Sequence, residues 1–270
     1  MTELLHSFAT DVWTVEGPIV SFFGFPYPTR MVVIRMSTGL SWIWSPVELT
    51  DQLAEEVEKV VGPVKYVVSP NKIHWLFMKQ WQQHFPHSKL YASPGLQNRT
   101  QVAKDLVFTD SLTSEAPAEW ASEIDQVVFE GGVMDEVWFF HKASKTVLVC
   151  DMIQRQTGEI YSGWQRWIMK ADGMSGPFGS TPKEWRFAFW AYGLLPKTRK
   201  TLNKVLNEWQ PEKMIIAHGM NAEQGAAHVI KDCLPWIPNN PREPCFCCNP
   251  GPSNMIDEEF ADVKERNSLY

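Results

Sequence analysis

The chain alternates twice between clusters of short β-branched or aromatic runs and stretches of helical periodicity, and that double alternation restricts it to layered α/β architectures. In the first block, Val12–Val15, Ile19–Phe23, Met31–Met36 and Leu40–Trp44 are separated by Gly17-Pro18, Pro26-Tyr27-Pro28 and Gly39. Strand formers punctuated by turn formers at this spacing predict an antiparallel meander. From Leu49 to Val61, Leu53 and Val57 recur at helical spacing behind Thr50, whose hydroxyl suits an N-cap. The pattern predicts a compact strand at Val64–Ser69, a helix over 72–84 with Ile73, Leu76, Phe77 and Trp81 on one face, and a strand at Lys89–Ala92. Strand, helix and strand in that order predict a parallel or mixed sheet.

A polar, irregular stretch over 95–122, with a brief strand predicted at Leu106–Phe108, separates this block from the next. The second block opens with predicted strands at Ile124–Phe129, Glu136–His141 and Thr146–Asp151, the last two joined by a turn at Lys142–Lys145. Helices are predicted over 182–193 and 197–209, a strand at Met214–Ala217 and a final helix at Ala222–Trp236. Residues 238–270 hold five prolines and then an acidic segment, so they read as an extension beyond a domain of residues 1–237.

With 270 residues, 44% of them apolar, the chain can bury a substantial core. Its 13 tryptophans read first as core and pocket walls, because an indole buries a large area and needs a single hydrogen-bond partner. The formal charge is −6, and the densest basic group, Lys197, Arg199, Lys200 and Lys204, follows Pro196 on a predicted helix. Phosphate binding needs a concentrated positive surface, so a nucleic-acid partner is disfavoured. No apolar run approaches the roughly 20 residues of a membrane span, and the start of the chain, with Glu3 and no basic segment, does not read as a secretion signal. The expectation is a cytoplasmic protein without a membrane partner, its oligomeric state left open. Five cysteines make an odd count without a disulfide framework, and Cys245, Cys247 and Cys248 lack a second ligand pair at the spacing of a zinc site.

Three segments carry a resemblance. Tyr66-Val-Val-Ser-Pro-Asn-Lys-Ile-His-Trp-Leu-Phe-Met78, followed by Phe85-Pro-His-Ser-Lys-Leu-Tyr-Ala92, resembles the first metal-site strand and helix of the metallo-β-lactamase superfamily. There an apolar strand leads into Thr-His-x-His-x-Asp-His. Val137-Trp-Phe-Phe-His-Lys-Ala-Ser-Lys-Thr-Val-Leu-Val-Cys-Asp151 resembles that superfamily's hairpin ending in a metal-bridging Asp, and Met214-Ile-Ile-Ala-His-Gly219 the strand carrying its last His ligand. The wider pattern is similar to an uncharacterised branch of the superfamily. The fold it implies is a four-layer αββα sandwich.

Carried over position by position, the motif is largely overwritten. Ser69 falls on the motif Thr, Pro70 and Lys72 on its first two His ligands, His74 on its Asp and Trp75 on its last His. The turn from Phe129 to Glu136, where the family keeps another ligand, holds no histidine. Asp151 and His218 match ligands in kind. The resemblance therefore implies a hydrolase-like protein with a reduced, mononuclear site, in which His74, Asp151 and His218 offer three donors to one zinc, iron or manganese ion. A second reading stays open: a metal-free cleft in which Lys72 pairs with Asp151, binding a ligand without hydrolysis or using Lys72 as a base. Lys72 and Asp151 are the candidate catalytic residues, and in either reading the partner is a small molecule in the cleft.

Overall fold

In the computed structural model, which describes residues 3–176 and 178–237, the apolar runs of each block pair into one sheet. The first sheet orders seven strands in chain sequence: β1 (His6–Ala9), β2 (Val12–Phe22), β3 (Phe25–Arg35), β4 (Ser41–Trp44), β5 (Val64–Val68), β6 (Lys89–Ala92) and β7 (Asp110–Ser111). Pairing is antiparallel from β1 to β4 and parallel from β4 to β7, so the sheet is mixed. The second sheet holds β8 (Ile124–Phe129), β9 (Glu136–His141), β10 (Thr146–Val149) and β11 (Lys213–Ile216), with β11 parallel to β10.

Side chains alternate across each strand, and that period of two builds the layers. Val32, Ile34, Trp42 and Trp44 of the first sheet face Val137, Phe139, Leu148 and Ile215 of the second, forming a buried layer between the sheets. Met31, Val33 and Ile43 point the other way, onto Leu53 and Val57 of α1 (Asp51–Val60) and Trp81 of α2 (Met78–His84). On the far side, Trp138, Phe140, Val147 and Ile216 pack against the later helices. These are chiefly α5 (Lys183–Ala191) through Phe189, α6 (Leu195–Lys204) through Leu202, and α7 (Ala226–Cys233) through Ile230. In chain order α3 (Thr100–Asp105), whose Val102 packs in the same layer as α1 and α2, and α4 (Gly163–Ala171) come between the early helices and these. Helix, sheet, sheet, helix is the expected αββα sandwich. Thr50 caps α1 as its sequence predicts, accepting a hydrogen bond from the Leu53 amide. No helix among the described residues is long and apolar enough to cross a membrane.

Several boundaries differ from expectation, each for a local reason. The predicted runs at 12–15 and 19–23 belong to one strand, β2, whose register is irregular between Glu16 and Ile19, around Pro18, which has no amide for the ladder. The helix expected over 72–84 starts only at Met78: residues 72–77 run as bends and turns, opened by the Asn71 side-chain oxygen, which accepts from the amides of Ile73 and His74. Leu106–Phe108 is not a strand; the short β7 follows it. The last helix begins at Ala226 because Ala222 exchanges two backbone hydrogen bonds with Met214. The extension over 238–270, with Cys245, Cys247 and Cys248, lies outside the described residues.

Candidate functional site

Register places the site. Val149 of β10 pairs with Ile216 of β11 in parallel, so residues two positions beyond each, Asp151 and His218, emerge side by side. From the other sheet, β5 ends at Val68, and its continuation crosses over: the Val137 amide donates to the Pro70 carbonyl, and Asn71 bridges to Glu136. That crossing brings His74 over Asp151. His74 Nε2 lies 3.2 Å from Asp151 Oδ2, His218 Nε2 lies 3.1 Å from Asp151 Oδ1, and the two Nε2 atoms are 3.3 Å apart.

Each of these three side chains is held by a further group. His74 Nδ1 lies 2.7 Å from Ser45 Oγ, and His218 Nδ1 lies 2.7 Å from the Pro28 carbonyl oxygen. Asn71 Nδ2 donates to Asp151 Oδ2 at 2.6 Å. Arg30 donates through one nitrogen to the carbonyls of Ile216 and Gly219 and to Asn221 Oδ1, and Arg155 donates to the carbonyls of Met220 and Asn221. Both guanidinium groups therefore clamp the turn that carries His218. Glu136, fully buried, accepts from the amides of Cys150, Asp151 and Met152 and from Trp138 Nε1, which fixes the end of β10.

A carbonyl oxygen only accepts, so the contact with Pro28 assigns the proton to Nδ1 of His218. The other ring nitrogen of His218, Nε2, is turned toward a carboxylate oxygen and a second imidazole. Such a cluster repels itself unless a cation lies among the donors, either a proton on Nε2 or a metal ion. Donor atoms around one tetrahedral zinc are ~3.3 Å apart, given Zn–N distances of ~2.0–2.1 Å, close to the separation of the two imidazole nitrogens and to the distance of each from one oxygen of the Asp151 carboxylate. A backbone carbonyl on the far imidazole nitrogen is also the usual support of a metal-binding histidine. The residues fit a single ion.

Burial pushes the Asp151 carboxyl up, but the charge of His74 and hydrogen bonds from His218 and His74 outweigh it and hold the group well below the usual carboxylate range. Burial, with the charge of Asp151, pushes Glu136 and the Tyr27 hydroxyl up. The Cys150 sulfur belongs with His74 and Asp151 to a group of donors within 4.8 Å of one another. Its thiol is fully buried and pushed up by burial and by the two neighbouring carboxylates, and it donates toward Asp151 Oδ2 at 3.8 Å.

Lys72 stands apart. Its Nζ lies 3.5 Å from the Val133 carbonyl, and among the described residues no ion pair joins it to Asp151. The structure thus brings together His74, Asp151 and His218 and leaves Lys72 outside their group. Asn71, Ser45 and Glu136 are site residues that sequence reasoning missed; an acid opening the otherwise apolar β9 was the one visible signal among them.

A family model described as a domain of unknown function (DUF4336) matches residues 10–162, more than half of the chain. This chain belongs to the DUF4336 family. No curated protein matches its sequence. Solved structures do resemble the DUF4336 chain. A metallo-β-lactamase from Pontibacter korlensis superposes with a TM-score of 0.55 at 11% identity, covering 84% of this chain and 95% of that one. One from Hirschia baltica gives 0.54 at 12% identity, covering 83% and 96%. The DIM-1 metallo-β-lactamase exposed to ceftazidime gives 0.54 at 14%, covering 84% and 94%. At such identities the likeness establishes the fold: this DUF4336 protein is a divergent member of the metallo-β-lactamase fold.

Proposed function

We propose that this cleft is the active site of a metal-dependent hydrolase acting on a small molecule, with His74, Asp151 and His218 holding one zinc, iron or manganese ion. The observation that carries this reading is the convergence of His74 Nε2, His218 Nε2 and the Asp151 carboxylate at separations of 3.1–3.3 Å, with the far nitrogen of each imidazole held by Ser45 or Pro28. When bound, the ion would supply Lewis-acid polarisation of a carbonyl and a water acidic enough to attack near neutral pH. The chain's own groups do the positioning. Pro28 and Ser45 orient the imidazoles, while Asn71 and Glu136 hold Asp151. Tyr27, its ring 5.2 Å from that of His218, keeps its phenolic proton and offers a donor in the cleft. Lys72 has no part in this reading, because its ammonium group is turned to Val133.

The test is metal content by plasma mass spectrometry on the full chain purified without chelator, before and after incubation with each of the three metals. Wild type is expected to carry close to one ion per chain, and Asp151→Ala with His218→Ala less than a tenth of that at unchanged circular dichroism. A wild-type chain that stays folded and takes up none of the three metals refutes the proposal.

A further inference from the structure

Beyond the imidazoles the cleft has a mostly apolar wall, formed in part by Val20, Phe22, Ile73, Leu76, Met134 and Trp185, and its volume is 330 Å³. That falls within the range of small-molecule sites. Apart from Asp151 and the two histidines, its charged side chains are Arg99 and Glu184, both exposed. Arg99 is also engaged, donating to the Lys72 carbonyl at 2.5 Å. No buried Lys or Arg in the wall would repay the desolvation of an anionic ligand.

The apolar lining does not stop at the mouth. Phe22 and Leu76 line the cleft and are exposed as well. Phe23, 85% exposed, meets the Phe22 ring edge-on at 4.6 Å. Phe25, at the other side of this hairpin, meets Trp164 of α4 at 5.0 Å, and Trp167, one turn further, is 73% exposed. On α5, Trp185 lines the cleft, and Phe187 and Trp190 are exposed with their rings 5.8 Å apart. Exposed aromatic side chains on the hairpin that walls the cleft mark a binding region. Gln154 adds a polar point to the cleft: it is buried, and its side-chain oxygen has no partner among the described residues. Its side chain adds an uncharged hydrogen-bonding group to the wall.

We propose that the cleft takes a long, uncharged acyl chain joined to a small hydroxylated or amide head, as in a monoacylglycerol or an N-acyl amide. The head sits by Gln154 and the histidines, and the chain runs along Phe22, Ile73 and Leu76 toward the aromatic rim. The inference rests on reading the cleft as the substrate site. For an ester, the reaction adds one water across the acyl C–O bond and releases a carboxylic acid and an alcohol.

The binding step is tested without metal, on the full chain treated with chelator and dialysed. Octanoyl-, decanoyl- and dodecanoylglycerol are titrated as monomers by calorimetry, and a parallel arm sediments the protein with phosphatidylcholine vesicles. Affinity is expected to rise about fourfold per added methylene. Leu76→Asp is expected to flatten that series, and Gln154→Leu to weaken all three ligands by a similar factor of roughly five to ten. Uptake of the monomeric ligands supports the proposal whether or not vesicles are also bound. Affinity independent of chain length overturns it, as does a Leu76→Asp variant that binds like wild type. Vesicle binding without uptake of monomers also overturns it and leaves the rim as a lipid anchor only. Because no metal is present, a failure here is separate from a failure of the metal measurement.

Discussion

Glu136→Gln tests whether the site is held by its buried supports. In the wild-type chain, Oε1 of Glu136 accepts from Trp138 Nε1 at 2.7 Å and from the Cys150 amide at 2.9 Å. Oε2 accepts from the amides of Asp151 at 2.7 Å and Met152 at 2.9 Å. Glutamine keeps the shape but only one acceptor oxygen. Whichever way its amide turns, two buried N–H donors face an NH2 group. A buried donor left unpaired costs about 1–3 kcal/mol, so the pair costs about 2–6 kcal/mol. Loss of the charge gives some of this back, since burial and the Asp151 carboxylate both disfavour ionised Glu136. A net loss of about 1–4 kcal/mol is expected, or roughly 2–16 °C in Tm at ~2–4 °C per kcal/mol for a chain near this size. Urea unfolding followed by circular dichroism reads the stability, and competition with a zinc-binding dye reads metal affinity. That affinity should fall about 10–100-fold, as for other groups that orient a ligand. A variant with wild-type urea midpoint and wild-type zinc affinity would show that the reasoning about Glu136 is wrong.

Gly219→Ala should remove metal uptake more completely than it removes stability. Gly219 has φ +114°, and a Cβ there would stand 2.1 Å from the Arg155 carbonyl oxygen, so the turn next to His218 must move; wild-type zinc uptake by the variant would contradict this. Thr50→Ala, remote from the site, should cost ~1 kcal/mol in urea unfolding through loss of the α1 cap and leave zinc uptake unchanged. An effect of the Thr50 variant on uptake would mean that general destabilisation, rather than local geometry, governs the site.

Much of the fold was legible because its signal is local. β6, β8 and β9 fall at the predicted residues, and the alternation of Val137, Phe139 and Leu148 against Trp138, Phe140 and Val147 follows from a period of two between two buried faces. The helix expected at 72–84 was misplaced at its start because Ile73, Leu76 and Phe77 keep helical spacing while residues 72–77 run as bends and turns, and spacing alone does not tell such turns from the first turns of a helix. His74, Asp151 and His218 were legible as residue types on the resemblance to a known motif, but their grouping depends on parallel register between β10 and β11 and on a crossing between sheets. Neither is written in the local sequence. The pairing of Lys72 with Asp151 was plausible from charge alone, yet Asp151 already receives Asn71 and the two imidazoles, and the Lys72 ammonium is turned to Val133.

Asn71 shows how a site can survive the loss of most of its motif. It stands between the positions where the superfamily pattern has its first two histidines, and one amide serves both sides of the junction between the sheets. Its oxygen accepts from the amides of Ile73 and His74, fixing the turn that aims His74, while its nitrogen donates to Asp151 on the opposing sheet. The Pro70 carbonyl next to it accepts the Val137 amide, and Glu136, one residue before Val137, holds the far side of Asp151. Side chains that would have been ligands are replaced by groups that tie the two loops together. His74, Asp151 and His218 are then held together without the remaining histidines, by Ser45, Asn71, Pro28 and Glu136, and the proposed ion would need no further support from the overwritten positions.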